Sequence, residues 1–243
     1  MPPSPFKLET LNIDILQKSL TVANHCEFGL VRIGNQLDLM ILGGAEDVNS
    51  LGFEGKASDV GQMIALQCHL NHHNASAIRA VLAWLKPAPL GLKTSAGLGD
   101  RIGLATPGHV RAVQITGGKI APIFAQQSIR EMARTSRTPD QVMDDATWGI
   151  FQENWQNGVG ADADHLKTTA DIDVCLAAGF TFFTIDPGNF VINAAETASA
   201  SELLEISLRL PNELKIEKNG LLNKKIHLDE LHLDFNETIL LKA

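Results

Sequence analysis

Apolar positions change rhythm near residue 90. Before it, residues 11–23 and 28–42 are rich in Ile, Leu and Val, and residues 37–42 (Leu-Asp-Leu-Met-Ile-Leu) alternate only in part. Runs of this kind, ended by Gly43-Gly44, predict short strands and turns. Residues 57–70 read as a helix, with Ser58 as its cap and Met63, Ile64, Leu66, Cys68 and Leu70 as its apolar side. A second helix over 75–85 ends before Pro87 and Pro89, because proline disfavours helix in the residue before it.

Beyond residue 90 the order becomes strand, loop, helix. Strands are predicted at 90–95, 120–125, 158–166 and 180–186, the last being the strongest in the chain. Ser128 can cap a helix running to about residue 133. Thr138-Pro139-Asp140-Gln141 opens the next one: Thr138 caps, Pro139 suits the first helical position, and Gln141 completes a capping box. Thr168 or Thr169 caps a helix to Ala178, and Gly179 is its left-handed stop. Residues 194–210 read as a helix, and 215–243 show no clear pattern. Repeated strand–helix units imply a parallel sheet, whose chemistry gathers past the carboxyl ends of its strands. The polar groups at those places are Asp100 and Arg101, Gln126 and Gln127, Asp164 and His165, and Asp186. The expected organisation is an α+β region over 1–89, strand–helix units amounting to half a barrel over 90–190, and a helical or irregular tail over 191–243.

Composition narrows the classes. With 243 residues, 44% hydrophobic and 20% charged, the chain can bury a core and is too apolar for disorder. Twenty basic and 28 acidic residues give a net charge of −8, and no block of five Lys or Arg occurs, which argues against nucleic-acid binding. No apolar run approaches the ~18–20 residues of a membrane span. The opening Met-Pro-Pro-Ser-Pro-Phe-Lys lacks the apolar stretch of a secretory signal. Cys26, Cys68 and Cys175 are widely spaced and form no CxxC, so a reducing cytoplasm is the expected setting.

The candidate chemistry is concentrated in a few places. Gly97-Leu98-Gly99-Asp100-Arg101-Ile102-Gly103 departs by one residue from the dinucleotide fingerprint, and no P-loop lysine follows. Its glycines can instead let the backbone approach a ligand, with Arg101 gripping a carboxylate; a surface turn with an ion pair explains it equally well. In Asp162-Ala163-Asp164-His165, strand alternation would send Asp164 and His165 to opposite faces, unless a bend at the strand end turns both into one pocket. Imidazole and carboxylate there suit Zn, Mn or Fe, and a carboxylate can act as general base; a polar loop capping the next helix is the plainer alternative. His69, His72 and His73 have spacings a zinc site can use, or they merely complement a helix dipole. Gln126 and Gln127 can meet sugar hydroxyls. Trp148 and Trp155, seven apart, fit helix packing, while Asp144 and Asp145 read as solvated helix charges.

Several consecutive blocks together resemble the tagaturonate epimerase family. They are Lys93-Thr94-Ser95-Ala96-Gly97-Leu98-Gly99-Asp100-Arg101 and its continuation to His109, Phe124-Ala125-Gln126-Gln127-Ser128-Ile129-Arg130-Glu131-Met132, Asp144-Asp145-Ala146-Thr147-Trp148-Gly149, Gly160-Ala161-Asp162-Ala163-Asp164-His165-Leu166-Lys167-Thr168, and Thr184-Ile185-Asp186-Pro187-Gly188. The resemblance is strong over 90–190 and weak before it. It implies a TIM-like (β/α) barrel, a divalent metal (Zn, Mn, Ni or Fe), and interconversion of the keto sugar acids tagaturonate and fructuronate. It implies Asp164 as proton acceptor and His165 as metal ligand, with Asp100, Arg101, Gln126, Gln127 and Asp186 available to the substrate. Family members are about twice this length, with the remaining metal ligands and the proton donor in their second half. The chain is therefore expected to hold about half a barrel, as a truncated form, a fragment complemented by a C-terminal half or by a further copy, or a degenerate descendant. The alternatives are a non-catalytic sugar-acid-binding remnant and a metal-dependent aldolase. Neither a nucleic-acid nor a membrane partner is expected.

Overall fold

The computed structural model describes residues 7–242 other than 12, 118, 189–190, 213–214, 216–219 and 229. The Met-Pro-Pro-Ser-Pro-Phe opening lies outside the described residues. The chain divides into two compact units, Met1–Asp186 and Pro187–Ala243.

The first unit begins with an antiparallel sheet made of β1 (Asp14–Ile15), β2 (Thr21–Ala23), β3 (Cys26–Ile33), β4 (Gln36–Gly43), β5 (Lys56–Val60) and β6 (Met63–His69). Its order is β1-β3-β4-β6-β5, with β2 also paired to β3. A short helix α1 (Ala45–Ser50) joins β4 to β5. The muted alternation of 37–42 has a direct cause: β4 is buried on both faces. Leu39 and Ile41 join the main core, and Met40 and Leu42 join a smaller cluster under Leu8 and Ile15. The helix expected over 57–70 is absent. Those residues form the β5–β6 hairpin, turned at Gly61, whose φ of +63° a hairpin turn requires and glycine supplies freely.

Helix α2 (His72–Val81) follows, with Asn71 accepting from the Asn74 amide as its cap. Next come β7 (Ser95–Gly97), α3 (Thr106–Ile115), β8 (Ala121–Ser128), α4 (Ile129–Thr135), α5 (Pro139–Gln152), β9 (Gly160–Leu166), α6 (Thr169–Ala177) and β10 (Phe182–Ile185). The four strands pair in parallel in the order β10-β9-β8-β7, so the architecture is mixed α/β. The first of these strands starts at Ser95, where the expected one over 90–95 ends. The predicted caps are present: Ser128 on α4, and full capping boxes from Thr138 with Gln141 and from Thr168 with Asp171. Gly179 takes a φ of +94°.

Helix α5 is the central strut. Its buried residues run from Val142 to Phe151 with Asp145 as the one exception, because α2, α3 and β8 all pack against it. Gly149 permits the α3 approach, since a Cβ there would collide with Thr106 and Pro107. Trp148 and Trp155 are buried core residues, and the Trp155 indole donates to the Gly158 carbonyl at 2.9 Å. One continuous core joins residues of both sheets, among them Phe28, Ile41, Ile78, Phe124 and Phe151. Cys26, Cys68 and Cys175 are buried and unpaired, and burial pushes their thiols up to about 11, 12 and 11 respectively.

The second unit contains α7 (Ala200–Ser207), the hairpin strands β11 (Lys225–Leu228) and β12 (Leu231–Asp234), and α8 (Glu237–Lys242). The helix expected over 194–210 is present as a short 3-10 turn, Asn193–Glu196, followed by α7. Among the described residues no helix is long and apolar enough to cross a membrane.

Candidate active site

The carboxyl ends of the four parallel strands bring one polar cluster together. Registers Gln126↔Asp162 and Ser128↔Asp164 set β8 against β9. The Gln126 amide donates from Nε2 to Asp164 Oδ2 at 2.9 Å. On the other side of β9, the Thr184 hydroxyl donates to Asp162 Oδ1 at 3.0 Å. Gln126, Asp162, Asp164 and Thr184 thus lie on one face, while Ala161 and Ala163 are fully buried in the core.

His165 joins this cluster through a break in alternation. Between the pairs Phe183↔Ala163 and Ile185↔Leu166, β9 runs one residue longer than β10. The extra residue forms a bulge, and His165 takes a φ of +53° there. Bulges re-aim side chains, and non-glycine residues in this region of φ are uncommon. The result is that His165 Nδ1 faces Asp164 Oδ1 at 2.5 Å, although the two are sequence neighbours on a strand. Burial, reinforced by the Asp164 charge, raises the Asp162 carboxyl above its ordinary value, against the pull of Thr184 and His165.

Asp186 leaves β10 beside this cluster. Its amide donates to the Leu166 carbonyl at 2.8 Å, and Lys167 Nζ stands 3.6 Å from its carboxylate. His165, Lys167, Asp186, Asp171, Ile129 and Arg130 line a cavity of about 190 Å³.

The other sequence candidates serve different ends. Gly97 and Gly99 are small because Gln126 lies against them: a Cβ on either would meet its side chain. The Asp100 carboxylate is consumed by its own loop, accepting from the amides of Ile102, Gly103, Ala105 and Thr106. Burial opposes ionisation there, but these amides hold the carboxyl below its ordinary value. Gln127 points to the opposite face from Gln126, where it is buried between Thr135 and Arg137. Arg101 pairs with Glu131 on α4 and lines a separate cavity of about 790 Å³ with His72, Arg137, Asp144 and Asp145. Burial opposes the ionisation of Glu131, yet the Arg101 hydrogen bond and charge bring its carboxyl below the ordinary value. Arg101 and His165 therefore line different cavities.

His69, His72 and His73 do not converge. His69 faces Asp38 at 3.1 Å, His72 faces Asp144 at 2.8 Å, and His73 Nε2 meets the Gly52 carbonyl at 2.7 Å. Asp144 and Asp145 are not solvated helix charges. Asp144 is buried and receives Arg79 at 2.8 Å, and Asp145 pairs with Arg137. Sequence patterns gave no sign of Arg137, which binds the Asp100 carbonyl, Gln127 and Asp145 together. Among the described residues, no three His, Cys, Asp or Glu side chains come together in a way that could hold a metal ion.

The family model of tagaturonate epimerase matches residues 16–243. The chain belongs to the tagaturonate epimerase family. It is 38% identical over 225 residues to the tagaturonate/fructuronate epimerase of Thermotoga maritima, covering 90% of this chain and 46% of that protein. Crystal structures of fructuronate-tagaturonate epimerase from Cohnella laeviribosi superpose with a TM-score of 0.77. The native form is 30% identical and the form with one glycerol 31%; each match covers 97% of this chain and 47% of the crystallised one. The chain spans about half the length of the relatives it matches.

Proposed function

We propose that this chain carries the first half of an active site that interconverts tagaturonate and fructuronate, and that its parallel sheet is half of a TIM-like barrel. The observation that supports this is the bulge in β9, which turns Asp164 and His165 to one another at the carboxyl end of a parallel strand. Asp164 is the proton acceptor of the proposal. One of its oxygens faces His165 and the other takes the Gln126 amide, so its position is fixed from two sides. Asp162, Gln126 and Asp186 present further polar atoms to a keto sugar acid. Arg101 is available to a substrate carboxylate only by exchanging Glu131 for it.

The carbon inverted in this reaction bears a hydroxyl and lies β to the ketone. Its hydrogen is therefore not acidified by that carbonyl. In the proposed route Asp164 removes the hydroxyl proton. The hydroxyl carbon becomes an aldehyde, the bond between the α and β carbons breaks, and its electron pair enters an enediolate on the ketone fragment. Re-addition to the other aldehyde face remakes that bond, and the proton returns to oxygen. A divalent metal, were one held at His165, would polarise the ketone. The residues present do not fit such an ion by themselves. Asp164 and His165 offer two donors where catalytic zinc sites use three protein ligands, so no step is derived through it.

The test is a chimera in which this chain replaces the matched portion of the Thermotoga maritima relative. It is expected to interconvert the two keto acids without incorporating solvent deuterium at the inverted carbon, and Asp164→Asn is expected to abolish turnover. Undiminished turnover in Asp164→Asn removes that residue from the chemistry. Obligatory deuterium at the inverted carbon excludes the cleavage route.

A further inference from the structure

The second unit carries a feature that the epimerase reading does not use. In the β11–β12 hairpin, Lys225 lies opposite Asp234 and His227 opposite His232. Alternation puts these four residues on one face. The two imidazoles meet there at the solvent surface, Nδ1 to Nδ1 at 2.5 Å, with ring centroids 4.6 Å apart and planes at 73°. A neutral imidazole has one donor and one acceptor nitrogen, so a contact of this kind holds at most one proton, and two charged rings would repel. Each ring turns its Nδ1 toward the other, and loss of the shared proton would leave both nitrogens able to ligate one ion.

We propose that His227 and His232 form a chelating site for a divalent transition-metal cation of the copper, nickel and zinc type, with water completing the coordination. Metal–imidazole bonds of ≈ 2.0–2.1 Å put two adjacent ligand nitrogens roughly 3 Å apart. A small outward rotation of both rings therefore seats an ion. Antiparallel pairing has already fixed the two histidines opposite each other, so little ordering remains for the ion to impose. The site is open: Asp234, on the same face, is held by Lys225 at 3.5 Å, and no third ligand joins among the described residues. Imidazole donors favour Cu²⁺ and Ni²⁺ over Mg²⁺, which prefers oxygen. The pair belongs to a different compact unit from His165.

The full chain is titrated with Cu²⁺ and Ni²⁺ by calorimetry, with Mg²⁺ for contrast. His227→Ala and His232→Ala are each expected to weaken one equivalent of binding roughly tenfold or more, because a chelate loses its second arm. His165→Ala is expected to leave that equivalent intact. In the unmodified chain, Ni²⁺ is expected to broaden the ring signals of these two histidines first, a readout that needs no variant to fold. Binding unchanged in both single variants, or first broadening at other residues, overturns the site.

Discussion

Replacing Arg137 by Met removes one guanidinium and keeps most of the apolar stem. The head group is nearly buried and holds three partners: the Asp100 carbonyl at 2.5 Å, Gln127 Oε1 at 2.6 Å, and Asp145. Charged donors to neutral acceptors contribute about 1.5–3 kcal/mol each, and an orphaned buried acceptor costs a further ~1–3 kcal/mol. These overlap at Gln127, which is only 1% exposed. The Asp145 side chain is 39% exposed, so its pair is taken at the surface value of no more than ~1 kcal/mol. The expected loss is about 3–7 kcal/mol, a large share of the ~5–15 kcal/mol that holds a domain folded.

The loss should depend on pH. Burial, with Asp100 and Asp144, already raises the Asp145 carboxyl above its ordinary value, and Arg137 opposes them. A raised folded value means that the folded state binds the proton more tightly. That contribution to stability is present below the ordinary carboxyl range and is lost as pH rises through the folded value. Removing Arg137 raises that value further, so the deficit is expected to be largest at pH 7 and to shrink on acidification. Urea denaturation followed by tryptophan fluorescence reads this unit alone, since Trp84, Trp148 and Trp155 all lie within it. A deficit below about 1 kcal/mol, less than one such hydrogen bond contributes, or one that is constant with pH, would refute the reasoning.

Other expectations follow from the same geometry. Asp162→Asn keeps an acceptor for Thr184 and removes a carboxylate whose ionisation burial opposes; it should raise the melting temperature at pH 7, and the gain should vanish below the ordinary carboxyl range. Thr138→Ala breaks a capping box on the central helix and should cost ~1 kcal/mol in denaturant titrations, with a loss below a few tenths counting against the cap. Gly99→Ala should displace Gln126 and free Asp164; NMR of the Gln126 side-chain amide checks this, and an unmoved signal would show that the glycine is not kept small for Gln126.

Periodicity was informative where a segment fitted one period alone and failed where it fitted two. The capping residues of α4, α5 and α6 were legible because capping is local chemistry. Residues 57–70 were not, since Ile64, Leu66, Cys68 and Leu70 satisfy a period of two as well as a helical side. Only the turn at Gly61 decides between them, and its geometry depends on the strands that it joins. The apolar character of β4 likewise records two packed faces, not a helix or a span.

The candidate site shows the same division at finer scale. Gln126 and Gln127 are chemically identical neighbours, yet the strand sends one to Asp164 and the other to Arg137 behind the sheet. Alternation predicts that split but not which residue faces which way. For Asp164 and His165 alternation predicts the wrong outcome. Their convergence needs one extra residue in β9, and that is set by pairing with β10 about twenty positions later in the chain. A backbone held at positive φ in a histidine is costly unless its surroundings enforce it. Here the pairs on either side of the bulge enforce it, so the geometry of Asp164 and His165 depends on β10 staying in register. Substitutions that loosen β10, such as replacement of Thr184, which also holds Asp162, should therefore disturb the Asp164–His165 contact without touching either residue.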